Sequence, residues 1–272
     1  MILLQLFVSD TNANYDLATN ISNIGAGGNN LVAGTTYSWV AADNPSVTGE
    51  TLVAANTSVI NDILNNVTGS NQVVVYTIIP TSANGCIGDA FTVSVTVRPE
   101  PIGLADTDAV CSDEQINYNI QTRNINLLGN SVASQFTYTV ISSNPGNVSV
   151  AGKNRPVASN AAITDTYTNT TSVDVLITYT ITPFSTTGNC QGSPFDVVVT
   201  IHPEPLGPNT VAQRCSDVPV NFDLQDVINT VGTGNSVPSK FKYSVTSNNA
   251  LAVPPRTKQK RSFYCSDWRC LY

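Results

Sequence analysis

The stretch Val97-Arg-Pro-Glu-Pro-Ile-Gly103 returns 104 positions later as Ile201-His-Pro-Glu-Pro-Leu-Gly207. A long self-similar period constrains a fold more than any local propensity, because each copy must close a core of its own. The match extends beyond the prolines. Cys86 and Cys190 are 104 apart, as are Cys111 and Cys215. Val75-Tyr-Thr-Ile-Ile-Pro80 aligns with Thr178-Tyr-Thr-Ile-Thr-Pro183, and Phe91-Thr-Val-Ser-Val-Thr-Val97 with Phe195-Asp-Val-Val-Val-Thr-Ile201. Cys111-Ser-Asp-Glu-Gln-Ile-Asn-Tyr opens one copy and Cys215-Ser-Asp-Val-Pro-Val-Asn-Phe the next, while Ser9-Asp-Thr-Asn-Ala-Asn-Tyr opens the first with Val8 in place of the cysteine. Thr36-Tyr-Ser-Trp-Val40, Phe136-Thr-Tyr-Thr-Val140 and Phe241-Lys-Tyr-Ser-Val245 form a further shared segment.

Four units follow: a first repeat at 8–103, a second at 104–207, a truncated third at 208–253, and a tail at 254–272 that breaks the pattern. The tail holds five of the twelve basic residues together with Cys265 and Cys270, a shift that suggests a frameshifted or fragmentary reading frame. The Pro-Glu-Pro heptapeptide ends the last strand of a repeat and stiffens the passage to the next. Proline gives no ladder hydrogen bond and disfavours helix in the residue before it.

Inside each repeat, alternation has period two. Val93, Val95 and Val97 fall on Val197, Val199 and Ile201 in the same phase, the pattern of a strand with one buried face. Short runs of Val, Ile, Thr and Tyr between Asn, Gly, Ser and Pro clusters predict a β-sandwich of roughly seven strands per repeat. Helical periodicity is nearly absent. Val59-Ile-Asn-Asp-Ile-Leu64 competes for a helical turn, but its counterpart Ala162-Ile-Thr-Asp-Thr-Tyr167 favours strand, so both read as strand-like crossings.

Only 11% of residues are charged and the net charge is −7, against about 25% charged in an ordinary soluble domain. Phosphate binding needs clustered Lys and Arg, so a nucleic-acid partner is excluded as a reading. No run reaches the roughly 18 apolar residues of a membrane span. Met1-Ile-Leu-Leu-Gln-Leu-Phe-Val8 lacks the basic and small-residue parts of a signal peptide.

Cys-Ser-Asp at 111–113 and 215–217, Asp43-Asn-Pro-Ser-Val-Thr-Gly49, Ile163-Thr-Asp-Thr-Tyr-Thr-Asn169, Tyr179-Thr-Ile-Thr-Pro183 and the two Pro-Glu-Pro connectors together resemble the PKD-like repeats of large secreted surface proteins of gliding bacteria. The resemblance covers about residues 8–253. It implies an all-β chain of tandem immunoglobulin-like sandwiches, two nearly complete and one truncated. It further implies export, often by the type IX route, an extracellular cell-surface location and a structural or adhesive role without catalytic residues or cofactors. Surface glycans or neighbouring repeats are the partners it suggests.

Against that background the candidate sites are few. His202 is the single histidine and lies in the connector, where Arg98 replaces it in the first copy, so a catalytic triad is not supported. Asp43 and Glu50 beside the Trp39 strand are formally a glycosidase-like carboxylate pair, but the second copy offers neither acid at those positions, so they read as solvated loop residues. A carbohydrate-binding module with a sugar stacked on Trp39, or an accessory region of a secreted hydrolase, is the alternative function. Asp113 and Asp217 recur, but they suit turns better than a structural calcium site. Cys265 and Cys270 lack the spacing and partners of a zinc knuckle. Sequons at Asn20, Asn56, Asn66, Asn147 and Asn169 are what chance supplies in a chain this rich in Asn and Thr.

The final expectation is a disulfide between Cys111 and Cys190, both at strand ends of the second repeat, in the oxidising compartment that the resemblance implies. It would leave Cys86 and Cys215 without intra-repeat partners. The alternative is that Cys111 and Cys190 are simply small unpaired residues.

Overall fold

The computed structural model describes residues 3–22 and 32–247, and the tail at 254–272 lies outside them. Strands dominate. In the first repeat β1 (Leu3–Val8), β3 (Thr36–Ala41), β5 (Gln72–Thr81) and β6 (Phe91–Arg98) form one sheet in the order β1-β6-β5-β3. The facing layer is slighter: β2 (Tyr15–Asp16) pairs with β4 (Val59–Ile60), extended by bridges from Asn12 to Ile63 and from Thr48 to Asn65. The second repeat repeats the plan with β7 (Asp106–Cys111), β8 (Ser134–Ser142), β9 (Arg155–Ser159), β10 (Val175–Ser185) and β11 (Phe195–His202), ordered β7-β11-β10-β8-β9. Bridges from Gln115 to Thr166 and from Tyr118 to Ile163 supply its facing layer.

The alternation in sequence becomes the inside of each sandwich. Val93, Val95 and Val97 point inward with Val74, Tyr76 and Ile78, and Val197, Val199 and Ile201 meet Ile177, Tyr179 and Ile181 in the second core. Val59–Leu64 and Ala162–Tyr167 are strand-like crossings, because Ile60, Leu64, Ile163 and Tyr167 must face the core from alternate positions. Each crossing also delivers a carboxylate to a core tyrosine: Tyr76 Oη donates to Asp62 at 2.8 Å and Tyr179 Oη to Asp165 at 2.9 Å.

Two expectations need correction. Trp39 does not offer a face to a ligand. It is 2% exposed, packs edge-on against Tyr76 with ring centroids 5.6 Å apart, and donates its Nε1–H to Thr57. The physical reason is register. Trp39 lies opposite Ile78 and Tyr138 opposite Ile181, so Trp39 corresponds to Tyr138 and not to Thr139. A one-residue slip in the alignment turns an inward ring outward. The second correction is the nearly absent helix: α1 (Leu17–Ser22), a π-turn at Gln121–Ile125 and α2 (Leu224–Ile228) recur at one place in all three copies. Each begins at a capping Asp or Asn, with Asp16 Oδ1 accepting from Thr19 N, Asn119 Oδ1 from Thr122 N and Asp223 Oδ1 from Gln225 N.

Among the described residues of the third repeat, α2 is the sole regular element. Phe241, Tyr243 and Val245, which match the core-facing residues of β8, are exposed, with no strand among the described residues to cover them.

Candidate functional site at the repeat junction

The junction is built from the Pro-Glu-Pro connector, the loop after the crossing strand, and a hook from the following repeat. The capped helical turn ends in Gly129-Asn130-Ser131, with Ser131 at φ 62° and its N–H bonded to Ile125 O at 2.9 Å. Gly129 is required there, since a Cβ would lie 1.7 Å from Ile102 O. This turn aims Asn130 back at the previous repeat. Its Nδ2 donates to Val67 O at 3.0 Å, Thr68 O at 3.1 Å and Glu100 O at 2.7 Å, and its Oδ1 accepts from Ile102 N at 3.0 Å. Two amide hydrogens serve three carbonyls, so one is shared between Val67 and Thr68.

The second junction repeats the arrangement atom for atom. Gly234-Asn235-Ser236 follows α2, Ser236 has φ 56°, and Asn235 Nδ2 reaches Thr170 O at 3.0 Å, Thr171 O at 3.1 Å and Glu204 O at 2.6 Å. Leu206 N donates to Asn235 Oδ1 at 2.9 Å. The third repeat is therefore docked by its helical turn.

Below each hook sits a second conserved geometry of the chain's own repeats. Ser9 and Ser112, from the Ser-Asp turns, accept the backbone N–H of Asn66 and Asn169. Those two asparagines are fully buried, and their Nδ2 groups donate to Ser70 and Val97 carbonyls in the first repeat and to Val173 and Ile201 carbonyls in the second. Both amide hydrogens are thus occupied, which is incompatible with sugar attachment at these two sequons in the folded state. Asp10, Asp113 and Asp217 adopt φ of 58°, 61° and 62°, the left-handed turn that Asp tolerates. Glu100, 5% exposed, is pushed up to about 7 by burial and by the neighbouring Asp10, against a lowering hydrogen bond from Asn65. Glu204 is raised for the same reasons, with Asp113 as the neighbour.

The cysteines fall on this site in an unexpected way. The Cys111–Cys190 bridge is not formed, and Cys86, Cys111, Cys190 and Cys215 are all free thiols. The reason is topology: β7 runs parallel to β11 and places Cys111 opposite His202, whereas Cys190 precedes Phe195 at the other end of β11. An eight-residue strand separates the poles by roughly 20 Å, far beyond the ~7 Å a bridge tolerates. Cys190 instead faces the previous repeat, with its Sγ 4.0 Å from Arg98 O.

Other candidates stay dispersed. His202 Nδ1 lies 2.8 Å from Asp174 Oδ1 with both side chains half exposed. Asp43 is exposed, and Glu50 accepts from Asn44 N at 3.3 Å. Among the described residues no three His, Cys, Asp or Glu side chains converge, and no helix there is long and apolar enough to cross a membrane. Cys265 and Cys270 lie outside the described residues. What sequence reasoning missed is the hook, whose signal was the recurrence of Gly-Asn-Ser-Val at 129–132 and 234–237.

No curated protein matches. Among solved structures, the ectodomain repeats EC1-4 of Drosophila N-cadherin are 12% identical with a TM-score of 0.28, covering 76% of this chain and 50% of that one. Human mucin-like protocadherin EC1-2 is 14% identical with a TM-score of 0.22, covering 74% and 96%. A Photobacterium sp. 2,6-sialyltransferase is 10% identical with a TM-score of 0.24, over 45% of this chain and only 21% of its own length. The profile of the PKD-like domain matches residues 7–101 and 108–205, most of the chain, and the protein belongs to the PKD-like domain family.

Proposed function

We propose that the chain is a non-enzymatic structural region of a secreted surface protein of gliding bacteria, in which PKD-like sandwiches act as spacers held at a fixed step. PKD-like domains are typical of extracellular proteins, and the profile match supports that setting. The observation that carries the reading is the asparagine hook, made twice with the same donors and acceptors. A ligand site needs to be built once, whereas reach grows with every copy whose orientation is fixed. Weak contacts on the repeat surfaces would gain strength by multiplication, which is how the same region would adhere. The carbohydrate-binding alternative loses its stacking residue, since Trp39 belongs to the core.

Small-angle scattering tests the spacer. The expected result is an elongated particle whose maximum dimension is the same at low and high salt, and a broader distance distribution when Glu100-Pro101-Ile102 is replaced by three glycines. A wild-type chain as broad as the glycine variant would overturn the reading. Strong wild-type binding on a glycan array would move the function from spacing to recognition.

A further inference from the structure

The hairpin between β5 and β6 and the one between β10 and β11 have the same build, yet their cysteines differ in environment. Cys86 N donates to Ser82 Oγ at 3.1 Å and Cys190 N to Ser185 Oγ at 2.9 Å, and the loops close through Gly88 N to Pro80 O and Gly192 N to Pro183 O. Cys86, in the hairpin of the first repeat, is exposed, whereas Cys190 is fully buried. The difference is the previous repeat. The hairpin carrying Cys190 lies on the connector so closely that a Cβ at Gly188 would come within 2.6 Å of the Arg98 side chain, and one at Gly192 within 1.9 Å of Pro101 O.

The same contact has a second side. Val8 is opposite Arg98 in the parallel β1–β6 ladder, as Cys111 is opposite His202 in β7–β11. In the second repeat the His202 carbonyl accepts from Ser112 N, so it points to the end of the neighbouring strand just after Cys111. The corresponding carbonyl, that of Arg98, is the atom 4.0 Å from Cys190 Sγ. The carbonyl facing the sulfur thus belongs to the residue paired with position 8, the place that a cysteine occupies in the other two copies. Val8 is half-buried and Cys111, with no hairpin upon it, is exposed.

We propose that the recurring cysteines are the two halves of a bridge between successive repeats: the cysteine ending the first strand of one sandwich bonds the hairpin cysteine of the next. Val8 removes the first half at the junction described here, leaving Cys190 a buried single thiol. Cys111 is the open half, and the pole around it is a docking surface for the hairpin of a further complete repeat of the same kind, whose helical turn and Asn235 are already in place. The inference rests on the junction geometry and stands whether the array spaces or adheres. Bond formation needs a disulfide oxidant. One thiolate attacks it and forms a mixed disulfide, the second thiolate displaces the carrier, and two electrons and two protons leave on the reduced carrier thiols.

The test is Val8→Cys in the full chain, oxidised with glutathione disulfide and digested without reduction. The expected result is a peptide linking position 8 to Cys190 and two fewer free thiols than in the reduced variant. Val8→Cys combined with Cys190→Ser is expected to lose that peptide. A folded Val8→Cys variant that keeps both thiols free, or joins position 8 to Cys86, overturns the proposal. Should Val8→Cys fail to fold, a chain in which residues 141–207 follow Val245 supplies a third repeat with its own hairpin cysteine. A link from Cys111 to that cysteine is expected, and its absence in a folded chimera overturns the proposal equally.

Discussion

Replacing Glu100 by glutamine separates the shape of the connector from its charge. Glu100 is buried beside Asp10 and shares the amide of Asn65 with it, Asn65 Nδ2 reaching Asp10 Oδ1 at 2.9 Å and Glu100 Oε1 at 3.3 Å. Burial first, and then Asp10, hold its carboxyl at about 7 against an ordinary 4.5. At about 1.4 kcal/mol per pH unit this sets a ceiling of about 3 kcal/mol on the penalty of keeping the carboxylate charged. Solvent reaching the edge of the connector relaxes part of it and leaves on the order of 1–2 kcal/mol. The folded chain binds this proton more tightly than the unfolded chain does. Wild-type stability from this group is therefore complete below the unfolded value of 4.5 and is lost as pH rises through about 7. Glutamine has no charge to lose. Urea unfolding of the first repeat, read from Trp39 fluorescence in a Trp268→Phe background, should show Glu100→Gln more stable than wild type by about 1–2 kcal/mol near pH 8, with the advantage vanishing near pH 4. A variant no more stable at pH 8, or an advantage that does not change with pH, would refute the argument.

The buried thiol reports on the junction. Iodoacetamide should modify Cys86, Cys111 and Cys215 at least tenfold faster than Cys190, and Asn130→Ala, which leaves Ile102 N–H and three carbonyls without their partner, should narrow that ratio; equal rates in wild type would refute the docking. Tyr15 Oη is buried without a hydrogen-bond partner among the described residues, while its counterpart Tyr118 donates to Asp106 at 2.7 Å. Tyr15→Phe should therefore be neutral or stabilising, and Tyr118→Phe should cost about 1 kcal/mol, as measured by denaturant midpoints. Trp39→Ala should destabilise the first repeat by about 3–5 kcal/mol, seen as loss of its cooperative unfolding, and should leave glycan-array signals unchanged.

Strands were legible because inward and outward residues alternate, and that signal is carried by the residues themselves: Val93, Val95 and Val97 needed no structural context. The facing layer was legible through its counterpart, since Ala162–Tyr167 excluded the helix that Val59–Leu64 alone permitted. The short helical turns were not, because five or six residues hold less than two turns and show no period; only the capping Asp or Asn marks them. Trp39 was misplaced because neighbouring Thr and Ser tolerate either face, so β3 and β8 could be aligned one residue out. The cysteines were misread for a topological reason. Sequence spacing says that two residues lie at strand ends but not at which pole, and the parallel pairing of β7 with β11 decides that. Asn130 was invisible as a single loop asparagine and legible only as a repeated one.

That parallel pairing has a mechanical consequence. In the second repeat the chain enters at the start of β7 and leaves at the end of β11, and these two adjacent strands run the same way. Tension applied along the array therefore pulls the two strands past one another lengthwise. The six register pairs from Asp106 with Val197 to Cys111 with His202 bear the load together and cannot be opened one at a time as in an unzipping hairpin. Forced unfolding is governed by a barrier and not by equilibrium stability, so a sandwich of ordinary thermodynamic stability, entered and left in this way, resists extension as a unit and yields all at once.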